Sequence, residues 1–189
     1  MKCPTAETAP VDLSLYEFLG HIHVYHSATA TFYAPSDLCG SGGLFRETIR
    51  STPYFRGGLR RDTVFVERDA TKAGMEGMDA ARVQLFFSFS TGRNTYSCAL
   101  INWYLHDRDA GPDEDTGMWE VELERVGGRS PVEVIHLDSI VRGAHLIPIY
   151  GQFVVPPRSK YFDTLDSYQS FFVNHFVDHH SRELIVGYL

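Results

Sequence analysis

Cysteine is scarce in this chain. Cys3, Cys39 and Cys98 are the only three in 189 residues. Their number is odd and no Cys-x-x-Cys occurs, which argues against a disulfide framework and against a cysteine zinc site. A reducing compartment, nuclear or cytoplasmic, is the expectation. Long hydrophobic runs are also missing. No stretch approaches 18 apolar residues, and the first residues, MKCPTAETAPVD, lack an apolar core. Neither a membrane span nor a signal peptide is read. There is no internal repeat. The glycine-rich CGSGG at 39–43 lacks the Lys-Ser/Thr of a phosphate loop and reads as a turn, and no Gly-x-Ser-x-Gly elbow is present. Positive charge is in deficit: 17 Lys and Arg against 24 Asp and Glu give a net charge of −7. Phosphate binding draws on clustered cations, so any contact with a polyanion has to be local.

What the chain does have is apolar and aromatic content, 43% and 13%. That is enough for a core and is arranged largely in short alternating runs. HIHVYHSATATFYA (21–34) alternates as a half-buried strand, with Ile22, Val24, Ala28, Ala30 and Phe32 on one face. From Pro35 to Arg61 the composition reads as a long loop, with a short helix possible in GLFRETIR. Strands are expected at 62–67, 81–89, 96–105 and 118–126, with STGRN as a hairpin turn. In 81–89, Val83, Leu85, Phe87 and Phe89 share a face. In 96–105, Ala99, Ile101, Trp103 and Leu105 face the core and Tyr104 faces out. In 118–126, Trp119, Val121 and Leu123 point inward and Glu120, Glu122 and Glu124 outward.

Two more strands, PVEVIHL and AHLIPIYG, flank a turn that Asp138 or Ser139 caps and Gly143 ends. Helical spacing of Leu165, Tyr168, Phe171, Phe172 and Phe176 predicts an amphipathic helix over 164–183. The fold class is therefore mainly β: a small bent β-barrel or sheet with long loops and one C-terminal amphipathic helix. Residues 1–20 read as a tail with a short apolar segment, and 21–189 as one domain.

Several residue sets invite a chemical reading. His136, Asp138 and His145 sit close in sequence, but each has a structural job in the strand–turn–strand reading, which is favoured. His175 and His179, in NHFVDHH, would share a helix face as metal ligands do. Phe176 stands where the zinc-protease pattern needs Glu, so this pair is a minor candidate and a metal is not expected. His21 and His23 could give half of a metal site only with distant partners. No cofactor is implied.

Arg46, Arg50, Arg56, Arg60 and Arg61 cluster around Tyr54 and Phe55. Guanidiniums interleaved with aromatics suit phosphates and stacked bases. The competing reading pairs them with the acidic stretch 105–124, eight acids against one arginine. Tyr104 and Trp119, beside Asp113, Glu114 and Asp115, are candidates for an aromatic cage that takes a basic peptide. Packing is the alternative for the tryptophans.

The blocks FYAPSDLCGSGG, IRSTPYFRGG, DTVFVERD, GMDAARVQLFFSF, CALINWYL, PDEDTGMWEVE, IHLDSIVRGAHLIPIYG and FFVNHFVDHH together resemble the C-terminal region of Plavaka-type transposase proteins. These belong to the Kyakuja–Dileera–Zisupton group of fungal DNA transposons. The resemblance runs from about Tyr25 to Glu183. It departs from the family pattern at Phe55 and Arg61, where Trp and Tyr are expected. In that family the strand-transfer acids lie in an upstream domain, so the resemblance carries no catalytic residue onto this chain. It implies a non-catalytic accessory or recognition module, with DNA, chromatin proteins or the transposase catalytic domain as partners. A looser likeness to bromo-adjacent-homology modules rests on Asp62, Val64, Val66, Trp103 and Tyr104. It implies a bent barrel that binds histone tails or partner proteins. The alternatives are a metal-dependent hydrolase using the C-terminal histidines, and a purely structural remnant marked by an exposed apolar patch.

Overall fold

The computed structural model describes residues 20–34, 42–151, 160 and 163–187. Residues 39–41 of the turn expected at 39–43, the apolar segment 13–19, and Cys3 and Cys39 lie outside the described residues, while Gly42 and Gly43 of that turn are described and are turn residues. The chain is mainly β, built as a nearly closed, barrel-like sheet with a three-stranded sheet against it.

The strands are β1 (Ile22–Tyr25), β2 (Ser27–Tyr33), β3 (Leu44–Phe55), β4 (Gly58–Arg61), β5 (Thr63–Glu67), β6 (Met78–Thr91), β7 (Asn94–Leu105), β8 (Glu120–Leu123), β9 (Glu133–His136), β10 (Ile140–Ala144), β11 (Leu146–Pro148) and β12 (Ser170–Val173). Helix α1 spans Thr164–Ser167 and α2 His179–Val186. The large sheet runs β10-β5-β6-β7-β8-β12-β11, with β1 on β6 and β9 on β7. Its two outermost strands, β10 and β11, are separated in sequence by His145 alone. The chain thus turns from one end of the sheet to the other at a single residue, and that brings the ends together. The backbone N–H of Asn174 donates to the His145 carbonyl at 2.8 Å across this junction.

Strand β5 is buried on both faces, as are the first half of β6 and the second half of β7 beside it, which is why TVFVE reads as a continuous apolar run. Val64, Val66, Ala81, Val83, Ala99, Ile101 and Trp103 pack with Ile49 of the three-stranded sheet. Phe65, Ala80, Tyr104, Val121, Phe171 and Val173 fill the other core, inside the curled sheet. Trp103 donates its indole N–H to Glu133 at 2.6 Å.

Several expectations are corrected. Residues 44–61, expected as loop with a helical piece, form the β3–β4 hairpin. Thr and β-branched content carries strand structure up to the bulge between Thr52 and Phe55. The expected strand at 21–34 breaks at His26 into β1 and β2, which join different sheets, and leaves Ile22 and Val24 exposed at 52% and 53%. The helix expected over 164–183 does not form. α1 ends at Ser167, β12 buries Phe171 and Val173 in strand alternation, and α2 starts only at His179. Gly143 sits within β10, close against Glu47, and not in a left-handed turn-ending conformation. The turn itself is a 3-10 turn at Leu137–Ser139, where the ring of His136 accepts from the Asp138 amide.

A bulge between Val83 and Leu85 reverses the face of β6, so Phe86 and Ser88 point to the core. Leu85, Phe87 and Phe89 fall on the opposite side. There they pair across with Leu100, Cys98 and Tyr96 of β7, while Phe87 and Phe89 pair with Val24 and Ile22 of β1. Val134 of β9, paired with Leu100, continues this uncharged wing and is 54% exposed.

Candidate functional site

The five arginines lie on one hairpin, β3–β4. The bulge before Phe55 turns its ring beneath three of them. The guanidinium carbons of Arg50, Arg56 and Arg60 are 5.7, 5.4 and 4.5 Å from the ring centroid. At such distances the ring's electron-rich face holds the cations together against their mutual repulsion. Arg56 forms the tip with φ 48°, a left-handed conformation that is uncommon outside glycine. Tyr54 beside it is 89% exposed. Arg46 projects outward on the exposed face of β3.

The acids of the hairpin are already engaged. Asp62 takes the Arg60 side chain at 2.7 and 3.2 Å and the Arg50 amide at 2.8 Å. Glu47 turns inward, to the Gly143 amide and to Arg142. Arg61 makes no salt bridge or side-chain hydrogen bond among the described residues. Partial burial and the nearby Arg82 lower its pKa, and Asp166 only partly offsets them.

The acidic stretch is a separate feature. A groove of about 970 Å³ is lined by Asp107, Asp113, Glu114, Glu120, Glu122 and Glu124, with Arg125. Asp115 is exposed nearby. The one arginine of that loop does not neutralise it. Arg108 turns inward to the Glu76 carbonyl and to Asp79 at 3.1 Å. Asp79 is a buried hub that also meets Arg68 at 3.6 Å and the His106 ring at 3.3 Å. Burial lowers the pKa of His106, and Asp79 works against it. Hydrogen bonds from the Thr116 hydroxyl and amide hold Asp113 below the usual carboxylate range. Of the described salt bridges, Arg60 pairs with Asp62 beside its own hairpin, so the alternative pairing of that arginine with the acidic stretch is not seen among the described residues.

The cage reading is overturned. Tyr104 is fully buried, edge-on to Phe171 at 5.6 Å, and burial pushes its pKa up to about 12. Alternation correctly set it opposite Trp103, but that opposite face is the inside of the curled sheet and not solvent. Trp119 is half-buried against the His106 ring at 5.0 Å.

The histidines do not assemble. His175 is buried before α2 begins, whereas His179 is exposed on its first turn, so the two share no helix face. His21 and His23 are exposed at β1. No group of three or more His, Cys, Asp or Glu suited to a metal occurs among the described residues. The Asp-His-His triplet has a structural role instead. Asp178 caps α2, accepting from the Ser181 amide at 2.7 Å. It also grips Arg142 with two hydrogen bonds of 3.0 and 2.8 Å. His180 stacks on Phe32 at 4.6 Å and accepts from Arg142 at 3.0 Å. Because Arg can only donate, that contact requires a neutral His180 with a free lone pair on Nδ1.

Sequence reasoning missed Arg82 and Arg142. Both are about 5% exposed; Arg82 forks onto Asp166 at 2.5 and 3.1 Å. The available signal was an arginine inside an alternating apolar run, ARVQL and IVRGA, where a buried charge needs a partner.

No helix of the described residues is long and apolar enough to cross a membrane. No family model, no curated protein and no solved structure matches this chain.

Proposed function

We propose that this chain is a non-catalytic recognition module that contacts nucleic acid through the β3–β4 hairpin. In this reading it serves as the accessory part of a transposase-like protein in the nucleus. The observation that carries the proposal is the convergence of Arg50, Arg56 and Arg60 on the Phe55 ring, next to an exposed Tyr54. Such a cluster concentrates positive charge on an otherwise acidic protein, which suits a local phosphate contact. The test is fluorescence anisotropy with a labelled oligonucleotide that has both a duplex and a single-stranded tail. Binding at low salt should weaken with added salt, with a logarithmic slope of roughly −3 for about four phosphate contacts. Arg56→Glu and Arg46→Glu should each weaken it while leaving the melting temperature near wild type. Absence of binding at low salt, or binding indifferent to salt, refutes the proposal.

A second reading is favoured by the uncharged wing of Ile22, Val24, Phe87, Tyr96 and Val134. An exposed apolar face of this kind suits contact with another protein domain, such as a transposase catalytic domain. Val24→Ser with Val134→Ser should then abolish binding to that domain in a pull-down without altering oligonucleotide binding.

A further inference from the structure

The arginine hairpin borders two adjoining grooves. One, of about 470 Å³, lies between β3–β4 and the β10–β11 junction, and the other, of about 200 Å³, lies beneath Phe55 and Leu59. Arg60, Arg61, Asp62 and Leu165 line both, so the two adjoin and together make a trough with Arg61 in the wall they share. Among the described residues its walls carry four guanidiniums, Arg60, Arg61, Arg82 and Arg142, with the carboxylates Glu47 and Asp62 in the lining and Asp166 and Asp178 reaching in behind Arg82 and Arg142. Three of the four are paired: Arg60 with Asp62, Arg82 with Asp166, and Arg142 with Asp178. Arg61 has no such pair among the described residues, although it is half-buried beside Arg82. Asp166 forks onto Arg82 and only partly compensates Arg61 as well, and a partly desolvated cation without a partner of its own gains when an anion joins it.

We infer that this trough takes a phosphate of single-stranded nucleic acid, bound at Arg61, in preference to duplex. The inference rests on the reading above, that the hairpin contacts nucleic acid, and narrows it to one form of ligand. A duplex is a stiff rod that displays its phosphates on a convex surface, and it cannot lower them to a recessed guanidinium. A single strand is thin and pliable, and its bases are free to stack. Tyr54, 89% exposed at the hairpin tip, offers the stacking face beside the trough. Phe55 cannot, because its ring is taken up by the three arginines.

The experiment is a comparison, with the full chain, of a mixed-sequence single-stranded oligonucleotide and the same sequence as blunt duplex, by anisotropy at one fixed salt. The single strand should bind about tenfold more tightly, the scale of one stacked base together with one phosphate contact. Arg61→Gln should remove most of that preference, as should Tyr54→Ser, which is remote from the core and keeps a folded control available. Equal binding of the two forms, or tighter duplex binding, overturns the inference and leaves the hairpin reading intact. Binding of neither form overturns both. A single-strand preference unchanged by both substitutions also overturns it, by placing the strand elsewhere.

Discussion

Asp178→Asn is the substitution that most directly tests how this fold is held. Arg142 is almost wholly buried, and the Asp178 carboxylate meets it with two hydrogen bonds of 3.0 and 2.8 Å. Glu47 is more distant, at 3.5 Å. Burial alone would raise the pKa of Asp178. The hydrogen bonds from Arg142 and the Ser181 amide, with the charge of Arg142, outweigh it and carry the value from 3.8 down to about 2. A drop of that size corresponds to roughly 2 kcal/mol, reduced somewhat because the carboxylate keeps partial contact with water. Asparagine keeps an oxygen for the Ser181 amide, so the helix cap survives and the charge alone is lost. Arg142 is then left buried and short of a counter-charge, a defect that costs about 3 kcal/mol.

Urea unfolding followed by tryptophan fluorescence should therefore show a lower midpoint with an unchanged slope. Replacing both partners, Arg142→Met with Asp178→Asn, should recover part of the loss, because the buried guanidinium is gone and the remaining carboxylate, Glu47, keeps the Gly143 amide and partial contact with water. The pH dependence has a definite sign. The folded pKa lies below the unfolded one, so the ion pair's contribution is fully present above about pH 4 and disappears as pH falls toward 2. Wild type should lose stability through that window more steeply than Asp178→Asn. A destabilisation under about 0.5 kcal/mol, the worth of an exposed pair, would refute the reasoning. So would parallel acid profiles for the two proteins.

Two further outcomes follow from the cores. Tyr104→Phe should be neutral or slightly stabilising in the same unfolding assay, since the buried hydroxyl has no hydrogen-bond partner among the described residues, whereas Tyr104→Ala should cost about 3–5 kcal/mol. Gly74→Ala should lower the melting temperature measured by circular dichroism. A Cβ there would stand 2.5 Å from the Ile185 carbonyl oxygen at a φ of +61°, and α2 would have to shift.

Much of the β architecture was legible in the sequence because it depends on local alternation. The inward residues Ala99, Ile101 and Trp103 of β7 and the hairpin turn after Thr91 follow from a period of two and a turn glycine, whereas Leu105, expected on the same face, is 45% exposed at the strand's end. What failed depended on partners distant in sequence. Phe171 and Val173 alternate in a strand only because β8 and β11 lie on either side of them; their own neighbourhood, with two adjacent phenylalanines, fits a helix equally well. Alternation puts Tyr104 opposite Trp103, but the curl of the sheet, and not the strand, decides whether that face is wet. The candidate interface divides in the same way. Its arginines are visible as composition, whereas their gathering around Phe55 requires the bulge after Thr52, which Pro53 and the following glycines do not announce. Arg142 draws its partners from β3, β2 and the start of α2, so no window of the chain contains its environment.

The single-residue junction at His145 bears on how the protein reaches this fold and avoids failure on the way. β10 pairs with β5, whose partners such as Val64 and Gly143 are far apart in the chain, while β11 pairs forward with β12. Closure therefore needs two long-range pairings to arrive from opposite directions at one short hinge. Non-local pairings of this kind make folding slow. Until they form, β5 and β12 present unpaired edges, the surfaces on which chains add to one another. Once they form, the same hinge ties both edges off at once. Lengthening the chain at His145 would lengthen the time those edges stay open, so aggregation during refolding would rise before native stability fell.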